Sequence, residues 1–232
     1  MSIIVGSARH DENGKYSGGK PGDQTGREVS TQAFYVHKKG WDVLRAKSAE
    51  VANKIASAMH TACANNNIGY SMGSDRYGVV KKGVNTKEKV NCDCSSLVRA
   101  CIKEATKKDV GDFSTFSEKS KILASGMFDD AGAYTDGMTL YTGDILVTKT
   151  QGHTVVVVSG NSRTENKDDF YPKYTGTSPS IVTALNAVGE KDTSKAHRAK
   201  IAAANGISNY KYTAAQNTQM LNILKAGKLK KA

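Results

Sequence analysis

A cysteine and a histidine about sixty residues apart are the residues of this sequence best suited to chemistry. Cys94 lies in a polar stretch, Asp93 to Ser96, which is predicted to start a helix, and His153 opens an apolar run that ends at Val158 and is predicted to be a strand. A thiol attacks only as the thiolate, and a helix start and a nearby imidazole both favour that form. The pair therefore predicts a cysteine nucleophile with a histidine general base.

Two further groups are expected to complete this site. The free backbone N–H groups at the helix start, beginning with that of Ser95, could stabilise an oxyanion, and a third polar group would orient the imidazole. The alternative is that Cys94 is a small buried side chain and His153 an ordinary strand-end histidine. The polar Asp-Cys-Ser-Ser entry favours the catalytic interpretation, because such a start suits a helix whose thiol faces a cleft.

The elements that must carry this pair are predicted from apolar spacing. Helices are expected over about 94–107 and near 117–125. Residues 144–148 and 153–158 are expected to pair as a hairpin, whose second strand is β-branched and buried on both faces. Residues 68–70 are expected to be a short extended segment.

The first third of the chain gives a weaker pattern. Residues 6–30 are rich in glycine and polar side chains, which predicts a long irregular segment. Asp42 or a near neighbour is expected to cap a helix that ends at the asparagines at 65–67, because Leu44 and later apolar residues recur at helical spacing. Residues 71–90 are expected to form a loop.

The last part of the chain is predicted to be a separate helical module. The expected boundaries are 1–166 for the first domain, 167–174 for a charged linker and 175–232 for the module. Apolar spacing predicts three short helices in it. They are expected at about 179–188, 194–205 and 213–225.

Positive charge is concentrated near the C-terminus. The net charge is +11, and residues 170–232 hold ten lysines and arginines against two acidic residues. Such a stretch favours an anionic partner, which can be a nucleic acid, an anionic membrane or a cell-wall polymer, although a face of solvated lysines has the same composition. The basic residues are not interleaved with aromatic ones, so nucleic acid is the weakest of these interpretations.

Several classes of protein or site are disfavoured. No run of about 18 apolar residues is present, which argues against a membrane-spanning helix, and the N-terminus lacks the pattern of a secretory signal. The chain has four cysteines, at positions Cys63, Cys92, Cys94 and Cys101. Their spacing indicates neither a disulfide framework nor, together with His10 and His153, the paired ligands of a zinc site. No metal or cofactor is therefore expected.

Three stretches of the sequence resemble one known family. They are Asp93-Cys94-Ser95-Ser96-Leu97-Val98, Gly143-Asp144-Ile145-Leu146 and His153-Thr154-Val155-Val156-Val157-Val158-Ser159-Gly160. In that order they resemble the Asp-Cys-Ser-Gly-Leu-Val motif, the Gly-Asp-Leu strand start and the histidine strand of the NlpC/P60 peptidoglycan hydrolases, which are related to the CHAP amidases. Tyr70 falls where that family often has a tyrosine. The resemblance covers roughly residues 68–165.

This resemblance implies a fold and an activity. The fold is α+β and papain-like, with helices packed on an antiparallel sheet, followed here by a small three-helix domain. The activity is cleavage of an amide bond in the peptide part of bacterial peptidoglycan, with Cys94 as nucleophile and His153 as general base. The family's third residue corresponds to Glu165, with Asn161 as second choice. A Cys-His acyltransferase similar to transglutaminases and a basic nucleic-acid-binding protein are the alternatives.

Substrate contacts are expected near the thiol and in the N-terminal segment. In the motifs that carry the resemblance these are Tyr70, Asp93 and Ser95. The glycine-rich segment resembles the opening of some prophage-encoded lysins, and its residues His10 and Asp11 are expected to line the cleft; a surface arm is the alternative.

The C-terminal module resembles, more loosely, the modules attached to such lysins. The resemblance implies that its basic face binds anionic wall polymers and that tyrosines stack on sugars, the candidates being Tyr171, Tyr174, Tyr210 and Tyr212. A helical appendage that only stabilises the enzyme is the alternative. The expected protein is a phage-type endolysin that is made in the host cytoplasm without a signal peptide, acts at the cell wall after release, and binds peptidoglycan and its anionic polymers but no nucleic acid.

Overall fold

The computed structural model describes most of the chain. The residues described are 2–10, 14–15, 20–22, 27–163 and 169–232. The chain divides into two compact units, Met1–Thr164 and Glu165–Ala232. Each unit has a hydrophobic core of its own.

A six-stranded antiparallel sheet forms the centre of the first unit. Its strands are β1 (Ile4–Ala8), β2 (Val29–Ala33), β3 (Trp41–Ala46), β6 (Phe128–Ala133), β7 (Ile145–Thr148) and β8 (Thr154–Ser159). Their spatial order is β2-β1-β8-β7-β3-β6. The strand that follows His153 therefore lies inside the sheet, between β1 and β7. Two short parallel strands, β4 (Ile68–Tyr70) and β5 (Val90–Cys92), form a separate pair.

In the part of the first unit that the structure describes, four helices accompany these sheets. They are α1 (Ala49–Cys63), α2 (Gly78–Lys82), α3 (Cys94–Thr106) and α4 (Glu118–Ala124), and Ser74–Arg76 adds one 3-10 turn. Both α1 and α3 pack against β8. Val156 of β8 belongs to the core under these helices, whereas Val155 and Val157 belong to a smaller cluster around Trp41. The expected burial of this strand on both faces is confirmed.

Most of the elements expected around the cysteine and the histidine are confirmed. α3, α4 and β4 lie where apolar spacing placed them, and β7 pairs with β8 as the expected antiparallel hairpin. The expected loop over 71–90 is wrong in part, because it contains α2 and the 3-10 turn.

The expected helix cap at Asp42 is wrong. Residues 41–46 form β3, in which Trp41 and Val43 face one hydrophobic cluster and Leu44 and Ala46 face the other. This alternation is the burial pattern of a strand. The helix begins only at Ala49 and is capped by Ser48, whose side chain accepts a hydrogen bond from the Val51 N–H.

The expected irregular segment over 6–30 is also wrong at both ends. β1 and β2 pair in antiparallel register from Ile4–Ala33 to Ala8–Val29. Gly6 belongs to β1 rather than to a loop, since a Cβ atom at this position would lie 2.6 Å from Met59 Cγ of α1. Glycine here permits a close approach of helix and strand.

The described residues of the second unit contain three helices, as expected. They are α5 (Ile181–Ala187), α6 (Lys195–Ala204) and α7 (Ala214–Lys225), and their N-caps are Ser180, Ser194 and Thr213. Tyr171 and Tyr174 are only 4% and 8% exposed in the core of this unit. The expectation that these two tyrosines stack on sugars is therefore wrong.

No helix in the described ranges of either unit combines the length and the apolar character needed to cross a lipid bilayer.

Candidate active site

Cys94 and His153 line the same cleft of the first unit. Cys94 is the first residue of α3, and His153 directly precedes β8. The cleft has a volume of about 620 Å³. It is also lined by Arg9, His10, Gln32, Tyr35, His37, Lys38, Lys39, Tyr70, Met72, Arg76, Asp93, Ser95, Ser114, Thr115, Gln151 and Gly152. The structure thus brings the side chains of Cys94 and His153 to one solvent-accessible space.

A capping box fixes the helix start that carries the thiol. Asp93 Oδ1 accepts a hydrogen bond from the Ser96 N–H at 2.7 Å, and Ser96 Oγ accepts one from the Asp93 N–H at 2.9 Å. The other carboxylate oxygen of Asp93 pairs with Arg76 Nη1 at 2.9 Å. Asp93 lines the cleft, but its carboxylate is already engaged, so in this structure it positions the helix start.

A buried carboxyl group joins the helix start to the strand that follows His153. Glu118, the first residue of α4, is fully buried. Its Oε1 accepts a hydrogen bond from Thr154 Oγ1 at 2.6 Å, and its Oε2 accepts one from Ser95 Oγ at 3.4 Å. The Thr154 backbone N–H in turn donates to the sulfur of Cys94. Glu118 therefore links Ser95 and Thr154, the residues that directly follow Cys94 and His153.

The thiol of Cys94 is uncharged at neutral pH. Burial raises its pKa to about 12, and the negative charges of Asp93 and Glu118 act in the same direction. The net pKa shift in the resting site is therefore upward, opposite to the lowering that was expected from the helix start and a nearby imidazole. The hydrogen bonds from Ser95 and from the Thr154 N–H favour the thiolate but are outweighed.

The ring of His153 is uncharged as well. Burial lowers its pKa to about 4, and the positive charges of His37 and Arg9 contribute. The ring lies 6.4 Å from the Trp41 ring, centroid to centroid, and its Nε2 is buried without a hydrogen-bond partner among the described residues. A neutral imidazole of this kind is able to accept a proton.

Glu165 and Asn161 are the two residues that were expected to orient the His153 ring. Asn161 follows the far end of β8, whereas His153 precedes its near end, and Asn161 Nδ2 donates to the Leu140 carbonyl at 3.0 Å. Asn161 is therefore not the orienting group, because a strand of six residues separates the two side chains. Glu165 lies outside the described residues.

The residues expected to contact substrate mostly line the cleft. Tyr70, at the end of β4, is 5% exposed and lines it, as do Ser95 and His10. Asp11 lies outside the described residues.

The Gly143-Asp144 pair that resembles the family's strand start has a structural role. A Cβ atom on Gly143 would lie 2.2 Å from the Ala52 carbonyl oxygen of α1, so only glycine fits there. The carboxylate of Asp144 forms a salt bridge of 2.7 Å with Arg45. Both contacts lock β7 to its neighbours and lie outside the cleft lining.

The remaining cysteines do not take part in the cleft. All four cysteines are free thiols, and Cys92, the neighbour of Cys94 in sequence, is buried and donates to the Gly69 carbonyl at 3.6 Å. Among the described residues, no three His, Cys, Asp or Glu side chains form a group that could hold a metal ion.

Sequence reasoning missed several cleft residues. Two of these are Tyr35 and His37, which line the cleft. Their rings lie, like that of His153, within 6.4 Å of the Trp41 ring, centroid to centroid. The clustering of a tyrosine, a histidine and the chain's only tryptophan over 35–41 was an available signal. For Glu118 the sequence contains no such signal, because its burial depends on a contact with Thr154, which is distant from it in the sequence.

The geometry defines the class of this protein. A helix that begins with a cysteine and packs on an antiparallel sheet, with a histidine at the start of a neighbouring strand, is an α+β arrangement of the papain-like kind, and the expected fold class is confirmed. The sequence profile described as endolysin-like domain matches residues 5–164, and the chain belongs to that family. It is an endolysin-type protein, which implies action on the cell wall with peptidoglycan as substrate. Comparisons with curated proteins and with solved structures gave no match.

Proposed function

We propose that the first unit hydrolyses an amide bond in the peptide part of peptidoglycan through Cys94 and His153. The observation that carries this proposal is their placement: the thiol at the start of α3 and the imidazole before β8 open into one cleft, and the N–H of Thr154 is directed at the sulfur.

In the proposed reaction the sulfur of Cys94 attacks the amide carbonyl carbon and its proton passes to His153. The resulting oxyanion is stabilised by helix-start N–H groups, including that of Ser95. The imidazolium then protonates the leaving amine as the C–N bond breaks, which leaves a thioester on Cys94. His153 next removes a proton from water, which attacks the thioester and releases a carboxylic acid and the thiol.

The resting site is consistent with a proton transfer that takes place during the attack and not before it. Both groups are neutral before substrate binds, because burial opposes a charge on either one alone. Passing the proton from Cys94 to His153 creates both charges together, and their mutual attraction offsets part of the desolvation penalty. The hydrogen bond from the Thr154 N–H also becomes stronger as the sulfur gains negative charge.

Exposed apolar side chains at the cleft are consistent with a bulky substrate. Among the described residues, the large apolar side chains with high exposure are Val36 at 59%, Met72 at 52% and Phe116 at 81%. Met72 lines the cleft, and the other two are adjacent in sequence to the lining residues Tyr35 and Thr115. An exposed apolar side chain in the lining of a cleft, as Met72 provides here, is consistent with a binding surface.

Digestion of purified cell walls tests the proposal. Wild type should release soluble fragments with new amino groups, and Cys94→Ala should lower the rate by roughly a thousandfold or more, as loss of a nucleophile does. Cys63→Ala is the matched control, because Cys63 is a partly exposed thiol that does not line the cleft. Equal digestion by wild type and Cys94→Ala would rule out the thiol mechanism. Release only in the presence of an added amine would favour the acyltransferase alternative.

We further propose that the second unit binds the wall. Lys195 and Arg198 of α6 lie over the Tyr212 ring at 5.5 and 5.6 Å from its centroid, and the Tyr210 ring packs edge-on against it at 4.8 Å. We call these four residues the basic-aromatic patch. Two cations next to two partly exposed tyrosines suit an anionic sugar polymer. Tethering in this way raises the enzyme concentration at an insoluble substrate.

A further inference from the structure

Arg9 is a charged side chain of the cleft that the proposed reaction does not use. It follows β1 directly, and its guanidinium donates to Gln32 Oε1, to Ser30 Oγ and, at 3.4 Å, to the Ser30 carbonyl. All of these acceptors are neutral. The Nε of Arg9 is buried and has no hydrogen-bond partner among the described residues. The positive charge is therefore held in place by polar contacts but is not neutralised by any of them.

The net charge of the described cleft lining is positive as well. Arg9, Lys38, Lys39 and Arg76 are the lysines and arginines that line it, and Asp93 is the acidic residue among its described lining. That carboxylate is already paired with Arg76 and with a backbone N–H. Among the described residues of the lining, three cationic side chains therefore have no acidic partner.

The excess charge lies close to the reactive pair. Arg9 acts electrostatically on both His153 and Tyr35, and Tyr35 in turn interacts with Cys94. Gln32 hydrogen-bonds the Tyr35 side chain as well as Arg9. Arg9, Cys94 and His153 also line the same cleft, so a ligand group held by Arg9 would share that cleft with the reacting bond.

We infer that Arg9, supported by Lys38 and Lys39, forms a subsite for a free carboxylate of the substrate peptide next to the bond that is cleaved. The inference rests on the proposed function of the cleft and adds a substrate class to it. Arginine suits this role because its planar guanidinium binds a carboxylate through two parallel hydrogen bonds. The donors now directed at neutral acceptors are available for such an exchange.

Kinetics on soluble wall peptides test this subsite without any contribution from wall binding. Peptides released from walls by a glycan-cleaving enzyme are used in two forms, untreated and with their carboxylates converted to amides by carbodiimide and ammonia. Wild type should cleave the untreated form with a kcat/KM roughly 10- to 100-fold higher, the range expected for a charge-assisted hydrogen bond.

Two variants and one control assign that preference to Arg9. Arg9→Gln should remove the preference, and Arg9→Lys should keep part of it, because a lysine retains the charge but not the paired donors. Lys54→Gln removes one positive charge outside the cleft, where Lys54 pairs with Glu50, and should behave as wild type. An equal preference in wild type and Arg9→Gln would overturn the inference.

The remaining outcomes separate the inference from the function on which it rests. Failure of wild type to cleave either form would reject the proposed hydrolase itself. Equal cleavage of both forms would reject only the carboxylate subsite. Walls stripped of phosphate polymers by cold hydrofluoric acid provide the last arm: a preference that disappears with the phosphate would identify a phosphate, not a carboxylate, as the anion.

Discussion

The two units of the chain treat polar side chains differently. Every polar or charged residue that is buried in the described ranges belongs to the first unit, from Ser7 to Thr154. The buried residues described in the second unit are all apolar or aromatic, from Tyr171 to Leu229. Both units bury a hydrophobic core, so apolar burial alone does not separate them. The difference lies in what each unit does with its hydrogen-bonding and ionisable groups.

This difference indicates that the first unit carries the proposed reaction. A buried charged group lowers stability unless it is paired, so it persists where it supports something else. In the first unit Asp144 pairs with Arg45 and supports the sheet, whereas Asp93 and Glu118 hold the helix start that carries Cys94. In the second unit none of the described charged residues is fully buried, and lysines such as Lys195 are exposed where a polyanion can reach them. Turnover and wall binding should therefore be separable by mutation.

Replacement of His153 should separate turnover from wall binding most strongly. His153→Gln removes the proposed general base, and kcat on soluble wall peptides should fall by roughly 10² to 10⁴. Wall pull-down should stay unchanged, because the second unit is intact. His60→Gln is the matched control, since His60 is an exposed histidine in the last turn of α1. Loss of wall binding with normal turnover in His153→Gln would break the comparison.

The pH dependence of the wild-type enzyme sharpens the same point. Burial lowers the pKa of His153 to about 4, so the ring remains a neutral base well below its ordinary range. The kcat/KM should persist as the pH falls from neutral and should be lost as it passes through about 4. Circular dichroism at each pH separates this from unfolding. An acid limb near pH 6.5 would indicate a solvated ring.

The resemblance to known motifs singled out Cys94 and His153 from the sequence as the proposed reactive pair. Cys94 and His153 lie in contiguous stretches whose local pattern indicates a helix start and a strand start, and the structure places both in one cleft. The burial of Glu118 was not predictable in this way. It results from the packing of α4 against Thr154, which no local spacing expresses.

Replacement of Glu118 has the second-largest expected effect. Glu118→Ala would leave the hydroxyls of Ser95 and Thr154 without their buried acceptor, which should lower the free energy of unfolding by about 1–3 kcal/mol and reduce kcat. Glu118→Gln keeps the shape and an acceptor oxygen and should retain most of both. Chemical denaturation and turnover on soluble peptides measure the two effects. Glu104→Gln, at an exposed position of α3, is the matched control.

The sign of the pH effect identifies Glu118 independently. Burial raises its pKa from 4.5 to about 8, so the folded state favours the protonated acid. Wild-type stability should therefore fall as the pH rises from about 4.5 through about 8, because folding must then bury a charge. Glu118→Gln should remove this slope in the melting temperature. An unchanged slope in the variant would assign the effect to another group.

The helices of the second unit were predictable because their signals are local. Ser180, Ser194 and Thr213 each cap a helix through a side-chain acceptor, and apolar residues follow at helical spacing. β3 was missed because Leu44 continues the spacing of the helix after it, and only the packing of Trp41 on the opposite face of the sheet reveals the strand. Strand pairing between distant segments is not encoded in short windows.

The smallest expected effect comes from the surface of the second unit. Lys195→Glu reverses one charge of the basic-aromatic patch, and the wall-bound fraction should fall a few-fold, since one exposed charge contributes about 1 kcal/mol or less. Turnover on soluble peptides should not change. Added salt should reduce wild-type binding more steeply than that of the variant, because fewer ionic contacts remain to be screened.

A charge reversal in the first unit tests whether wall binding depends on the basic-aromatic patch or on the net charge of the whole chain. Lys54→Glu produces the same change in net charge on α1, outside both the cleft and the second unit. If wall binding depends on the basic-aromatic patch, only Lys195→Glu weakens it. If both variants weaken binding equally, the wall responds to the net charge of the whole chain, and the division of labour between the two units does not hold for binding.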